Sequence, residues 1–174
     1  MIRIVITGGP STGKTSIINE LANFGYNVFP EVARIIIKEQ LEINSNKVPW
    51  NDILGFSKIV LKRQIIDFYK AKKGLNIYDR GIPDIIGYIN HGQQDLFNEL
   101  KLSAEKLKYQ FIFILSPWEE IYETDNERRE NYNDAIKIYQ SIKKAYITLG
   151  YLPIEVPKDT LKNRVSFILN KING

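Results

Sequence analysis

The first 25 residues constrain this chain more than any other stretch. A β-branched run, Ile2, Ile4, Val5 and Ile6 within Met1 to Thr7, predicts a buried strand. It passes at once into Gly8-Gly9-Pro10-Ser11-Thr12-Gly13-Lys14-Thr15, after which Ile17, Ile18, Leu21 and Phe24 recur at helical spacing until Gly25. The loop matches G-x-x-x-x-G-K-[ST] at every fixed position. Gly8 and Gly13 let the backbone curl so that the amides of Gly9, Pro10-flanking Ser11, Thr12 and the helix start, including Ser16, surround an anion. The helix that follows adds the positive end of its dipole. An ammonium at Lys14 then reaches the β- and γ-phosphates of a nucleotide, and the Thr15 hydroxyl is placed to ligate Mg²⁺. The segment therefore dictates a strand, a phosphate loop and a helix in that order.

The remaining chain alternates in the same way. Tyr26 to Phe29 reads as a second strand, with a helix marked by Val32, Ile35 and Ile36 after Pro30. A long helix is predicted from Asn51 to Lys73, and a third strand from Leu75 to Tyr78. Leu96, Phe97, Leu100, Ala104 and Leu107 suit a helix, and Gln110 to Leu115 an apolar strand of a buried parallel sheet. The stripe Tyr132, Ala135, Ile136, Tyr139, Ile142, Tyr146 and Leu149 precedes a fifth strand, Tyr151 to Val156. A closing helix runs through Leu161, Val165, Ile168 and Ile172, with Asp159 near its cap. Strands alternating with helices imply one α/β domain over residues 1–174, with an open, mostly parallel sheet covered on both faces.

Composition removes several kinds of chemistry. The 174 residues contain no cysteine and one histidine, His91, which excludes disulfides, thiolate-bound zinc, iron–sulfur clusters and a thiol nucleophile. His91, beside Gly92, reads as a loop residue. A net charge of +4 suits anionic small molecules and falls short of a dedicated nucleic-acid surface. The apolar N-terminal run ends at Ile6, too short for a secretory signal, and no run approaches the ~18 residues of a membrane helix. A cytoplasmic protein is expected.

The acidic residues at strand ends direct the chemistry. Glu31 follows Val28-Phe29-Pro30, and Asp79 follows Leu75-Asn76-Ile77-Tyr78, so both are expected at the edge that carries the phosphate loop. Either carboxylate can anchor Mg²⁺, and Glu31 can also act as general base toward a substrate hydroxyl. Arg34 lies one helical turn beyond Glu31; the alternative for the two is an ordinary i,i+3 ion pair. Arg80 after Asp79, where motor-type ATPases commonly have a second acid, can clamp a phosphate. Arg128 and Arg129, inside Asp125 to Glu130, suit a cationic lid over about residues 118–132, or else a solvated charge run. Trp50 and Trp118 are expected to staple helices to the core, and Tyr132, Tyr139 and Tyr146 to face it.

Three segments together, Ile6 to Thr15, Pro30-Glu31-Val32-Ala33-Arg34 and Tyr78-Asp79-Arg80-Gly81-Ile82-Pro83-Asp84, resemble the AAA-domain-like family of small predicted P-loop ATPases. That family is similar to the kinase domain of nicotinamide-riboside kinases and, more remotely, to deoxynucleoside and nucleoside monophosphate kinases. The resemblance covers nearly the whole chain. It implies a P-loop NTPase of kinase type, with five parallel strands in the order 2-3-1-4-5 and a short helical lid. It also implies ATP and Mg²⁺ at Lys14 and Thr15, an acceptor hydroxyl at Glu31, and a catalytic Asp79-Arg80 pair, with Asp84 at the end of that motif on the substrate side. Arg128 and Arg129 would be lid arginines, and Pro157 and Lys158 would flank the adenine ring. The expected activity is transfer of the γ-phosphoryl group of MgATP to a small nucleoside-like or vitamin-like acceptor. A nucleotide-dependent ATPase or switch is the alternative. A polynucleotide kinase, drawing on Lys58, Lys62, Arg63, Lys70, Lys72 and Lys73, is a further one.

Overall fold

The computed structural model describes residues 1–121 and 131–173. Five strands form one sheet: β1 (Ile2–Gly8), β2 (Asn27–Phe29), β3 (Leu75–Asp79), β4 (Phe111–Leu115) and β5 (Ile154–Val156). Their spatial order is β2-β3-β1-β4-β5, and all four pairings are parallel. Seven α-helices are described: α1 (Lys14–Asn23), α2 (Val32–Glu42), α3 (Ile53–Tyr69), α4 (Ile82–His91), α5 (Asn98–Lys106), α6 (Tyr132–Thr148) and α7 (Leu161–Asn173). The expected α/β/α architecture and strand order are thus the observed ones.

Side-chain alternation along β1 explains the layers. Ile4 and Ile6 point to one face, where they pack with Ile17 and Leu21 of α1, Phe113, and Val165 and Ile168 of α7. Val5 points to the other face and meets Ile138, Ile142 and Tyr146 of α6. A further cluster joins α2, α3, α4 and α5 through Ile36, Leu61, Ile82, Ile89 and Leu100. Each of these buried aliphatic side chains contributes roughly 1.5–3 kcal/mol, so the β1 edge is held rigidly from both sides.

Several boundaries differ from the sequence expectation. The long helix spans Ile53–Tyr69, not Asn51 to Lys73. Asp52 caps its start by accepting the Gly55 amide at 2.8 Å. At its far end, Asn76 takes both the amide and the carbonyl of Lys72 at 2.8 Å, which pulls that stretch out of the helix and onto β3. β5 is shorter than expected because the Tyr151 amide donates to the Tyr146 carbonyl at 3.1 Å and belongs to the end of α6. Helix α4 was not expected at all, and His91 is its last residue instead of a loop residue. Tyr146 is fully buried as expected, whereas Tyr132 and Tyr139 are half-buried.

Candidate active site

The phosphate loop joins β1 to α1 through three residues at positive φ, a conformation that side chains resist, and two of the three are glycines. Gly13 has φ +80°, and a Cβ there would stand 2.7 Å from Nη1 of Arg164. Gly8 has φ +142°, and a Cβ there would run into the Leu115 carbonyl oxygen. Ser11, at φ 52°, completes the curl. Lys14 is buried, and its ammonium donates to the Gly9 carbonyl at 2.7 Å. Thr15 and Ser16 are exposed in the first turn of α1. From α7, Arg164 donates to the Thr12 carbonyl at 2.8 Å and lies 5.7 Å from the Trp118 ring. Trp118 thus meets a cation of α7, and the contact of Arg164 with the loop is one that local sequence does not signal.

At the neighbouring strand ends, four charged side chains interlock. Glu31 sits at the N-cap of α2, yet its carboxylate makes no capping bond. Instead it accepts from Nε of Arg80 at 2.9 Å and lies 3.7 Å from Nε of Arg34. Both the i,i+3 pair and a longer-range clamp are therefore present. Arg80 has φ 71°, an uncommon conformation for a residue with a side chain, which costs about 1–2 kcal/mol. Two backbone groups hold it there: its amide donates to Ile6, and Nη1 donates to the Gly8 carbonyl at 2.9 Å. Nη1 also reaches Oδ1 of Asp84 at 3.1 Å. Burial opposes the charge of Arg80, but Tyr88, Glu31, Asp84 and Asp79 outweigh it and hold the guanidinium well above its ordinary range.

Asp84 is the floor of this cluster. Its Oδ1 accepts from Arg80 and from the Thr7 hydroxyl, and its Oδ2 from the Gly81 amide at 2.9 Å and the Tyr146 hydroxyl at 2.6 Å. The bond to Gly81 is also the return half of a capping box for α4. Burial, then the Asp84 charge, pushes the Tyr146 hydroxyl well above its ordinary range, so it stays a donor. With both oxygens occupied and 2% exposure, Asp84 orients Arg80 and Tyr146.

Asp79 behaves differently. It is 4% exposed, and its Oδ1 has no hydrogen-bond partner. Burial, reinforced by the Glu31 charge, pushes its carboxyl up to about 7 against the pull of Lys14 and Arg80. A buried carboxyl with an unpartnered oxygen, close enough to Lys14 of the phosphate loop to feel its charge, is the donor chemistry of a hard divalent cation such as Mg²⁺, which takes one or two carboxylates and fills the rest with phosphate and water. The residues present fit that ion.

Beside Glu31 opens a cavity of about 530 Å³. Glu31, Arg34, Arg80 and Asp84 line it together with Pro10 of the phosphate loop, so phosphate loop and cavity share a wall. Trp50 also lines this cavity while packing on the core, and His91 lines it too. Pro157 and Lys158 are exposed directly after β5, at the same sheet edge. Arg128 and Arg129, with most of the expected lid, lie outside the described residues. The exposed lysines 58, 62, 70, 72 and 73 are split between α3 and the loop after it, and Arg63 pairs with Glu39 at 3.3 Å.

This edge, with a phosphate loop on β1, a carboxylate after β2 and an acid–arginine pair after β3, defines a P-loop NTPase fold of the kinase type. The family described as AAA domain matches residues 3–164, and the chain belongs to that family. No curated protein matches it by sequence. Among solved structures it is similar to a deoxyadenosine kinase from M. mycoides with products dCMP and dCDP, with a TM-score of 0.72 at 15% identity over 99% of both chains. It is also similar to thymidylate kinase from Candida albicans, with a TM-score of 0.69 at 20% identity over 99% of this chain and 91% of that one. NadR in complex with NR gives 0.71 at 15% identity, over 99% of this chain and 50% of the other. At such identities the likeness is one of fold.

Proposed function

We propose that the protein is a small-molecule kinase that moves the γ-phosphoryl group of ATP to an acceptor hydroxyl bound in the cavity beside Glu31. One observation carries this reading: the Glu31 carboxylate, withdrawn from its helix cap and clamped by Arg80, stands where the phosphate loop and the cavity meet. A hydrolase needs room for a water there, whereas a transferase needs a chamber for a second substrate. A chamber of about 530 Å³ suits a nucleoside-sized molecule.

In the proposed reaction the loop amides and Lys14 hold the triphosphate. Glu31 accepts the proton of the acceptor hydroxyl as its oxygen bonds to the γ-phosphorus; the bridging P–O bond breaks and ADP departs. Thr15 and Asp79 would hold Mg²⁺, whose charge offsets that of the β- and γ-phosphates. Arg34 and Arg80 orient Glu31, and Asp84 orients Arg80. Arg128 and Arg129 would supply further positive charge to the phosphates, and Pro157 and Lys158 would border the base. The cytoplasm, with its supply of MgATP, is the proposed setting.

The test is ADP release from MgATP across a panel of nucleosides, ribosylated vitamins and short oligonucleotides. Turnover that rises at least tenfold with one small acceptor, falls by roughly 10²-fold or more in Glu31→Gln with ATP affinity retained, and vanishes in Lys14→Ala supports the proposal. Acceptor-independent hydrolysis of ATP at an equal rate would replace it with an ATPase.

A further inference from the structure

Among the described residues lining the cavity, one buried polar atom without a partner plays no part in the proposed transfer. Helix α3 turns Phe56, Ser57, Val60 and Gln64 toward it, a spacing that keeps all four on one face. Gln64 is 7% exposed, and its Oε1 is buried without a hydrogen-bond partner. An acceptor atom in that state costs stability unless something donates to it. Gln64 also borders a small crevice with Asp79, but only the larger cavity has room for a ligand, and its lining includes Ile37 of α2, Trp50, Phe56, and Ile85 and Tyr88 of α4.

The charges of the lining point the same way. Among the described residues it has two cations, Arg34 and Arg80, and three acids, Glu31, Asp84 and Asp134. Both arginines are engaged with Glu31. The chamber is therefore poorly suited to an acceptor that already carries a phosphate or carboxylate.

We infer that Gln64 is a specificity-determining residue, and that the acceptor is an uncharged molecule with a planar ring bearing an N–H donor, an amino or carboxamide group, that bonds to its Oε1. The aromatic walls take the ring and Gln64 takes the donor, leaving the hydroxyl of the same molecule for Glu31. The inference deepens the kinase proposal and rests on it for the identity of the chamber.

The experiment uses uncharged acceptor pairs that share a sugar and differ only in an exocyclic amino group, the second member having no N–H on its ring: adenosine and purine riboside, cytidine and pyrimidin-2-one riboside. Calorimetry measures binding of each to the full chain, and ADP release measures transfer separately. For at least one pair, the member with the N–H group binds roughly 10- to 100-fold more tightly, the range one well-made hydrogen bond in a buried site supplies. Gln64→Leu narrows that ratio to within about threefold, and Gln64→Met, closer in shape, does the same if the leucine variant folds poorly. Equal affinity within every pair, no binding by any pair, or a preference that survives both substitutions would overturn the inference. Selective binding without any transfer leaves it standing and defeats the kinase proposal; transfer without selectivity does the reverse.

Discussion

Asp79 offers a measurement of the site's electrostatics that needs no substrate. Its carboxyl ionises near 3.8 in the unfolded chain and at about 7 in the fold, chiefly because burial and the Glu31 charge disfavour its anion. The folded state therefore binds a proton that the unfolded state has already lost between those values. Stability is fully present below about pH 4 and is lost as the pH rises through about 7. At about 1.4 kcal/mol for each pH unit, the ceiling on that loss is about 4 kcal/mol, a large share of the 5–15 kcal/mol of an ordinary domain. Asp79→Asn keeps the shape and removes the charge. Urea unfolding of both proteins with a chelator present, from pH 4.5 to 8.5, should show the variant gaining on the wild type with increasing pH. The gap should level off above about pH 8, and near its ceiling would be roughly 8–16 °C in Tm for a chain of this length. Distant groups are shared and cancel, so the difference reports Asp79 together with the groups that feel its charge, Glu31 first among them. A gap that stays flat, or a variant that falls behind above pH 7, would show that Lys14 and Arg80 hold the anion comfortably, and the argument for a cation-hungry carboxylate would fail.

Two further substitutions probe the frame around the site. Tyr146→Phe removes the 2.6 Å bond to Oδ2 of Asp84 without changing the packing, and should cost about 1.5–3 kcal/mol in denaturant unfolding; a loss under 0.5 kcal/mol would mean Asp84 does not need that donor. Gly13→Ala forces a Cβ into a left-handed position and pushes Arg164 off the Thr12 carbonyl. Destabilisation of about 1–2 kcal/mol with ATP binding weakened at least tenfold is expected by calorimetry, and unchanged ATP affinity would contradict the assignment of the loop.

Much of the fold was legible because periodicity reports burial. Ile2 to Ile6 and Phe111 to Leu115 read as strands because both faces of a central parallel strand are covered. The outer strands were harder: β2 and β5 have three residues each, too few for any pattern to fix their ends. Helix α4 is hard to read because it is short and buried almost throughout from Ile82 to Ile89, and its polar stripe is only Asp84, Tyr88 and His91, the first of them buried. Two signals were available, Pro83 in its first turn and Asp84 at the third position.

The phosphate loop could be read from local sequence because its chemistry is local: amides and a lysine within eight consecutive residues. Glu31 and Asp79 could be placed at the edge for a similar reason, since a strand end fixes where the next side chain begins. What those groups do to one another could not be read, because it depends on approaches between residues 49 and more positions apart. Arg80 reaches Glu31 only because a left-handed backbone turns it back across the end of β1, and nothing in the hexapeptide around it demands that conformation. The same holds for Arg164, 152 residues from the carbonyl it holds, and for Gln64, which looked like one polar residue among several on a long helix. Its meaning comes from what surrounds it. A glutamine costs little on a wet helix face, but buried with its Oε1 unpartnered it is expensive to keep. A residue retained at such a cost needs a partner, and the cavity it faces is where that partner should be sought.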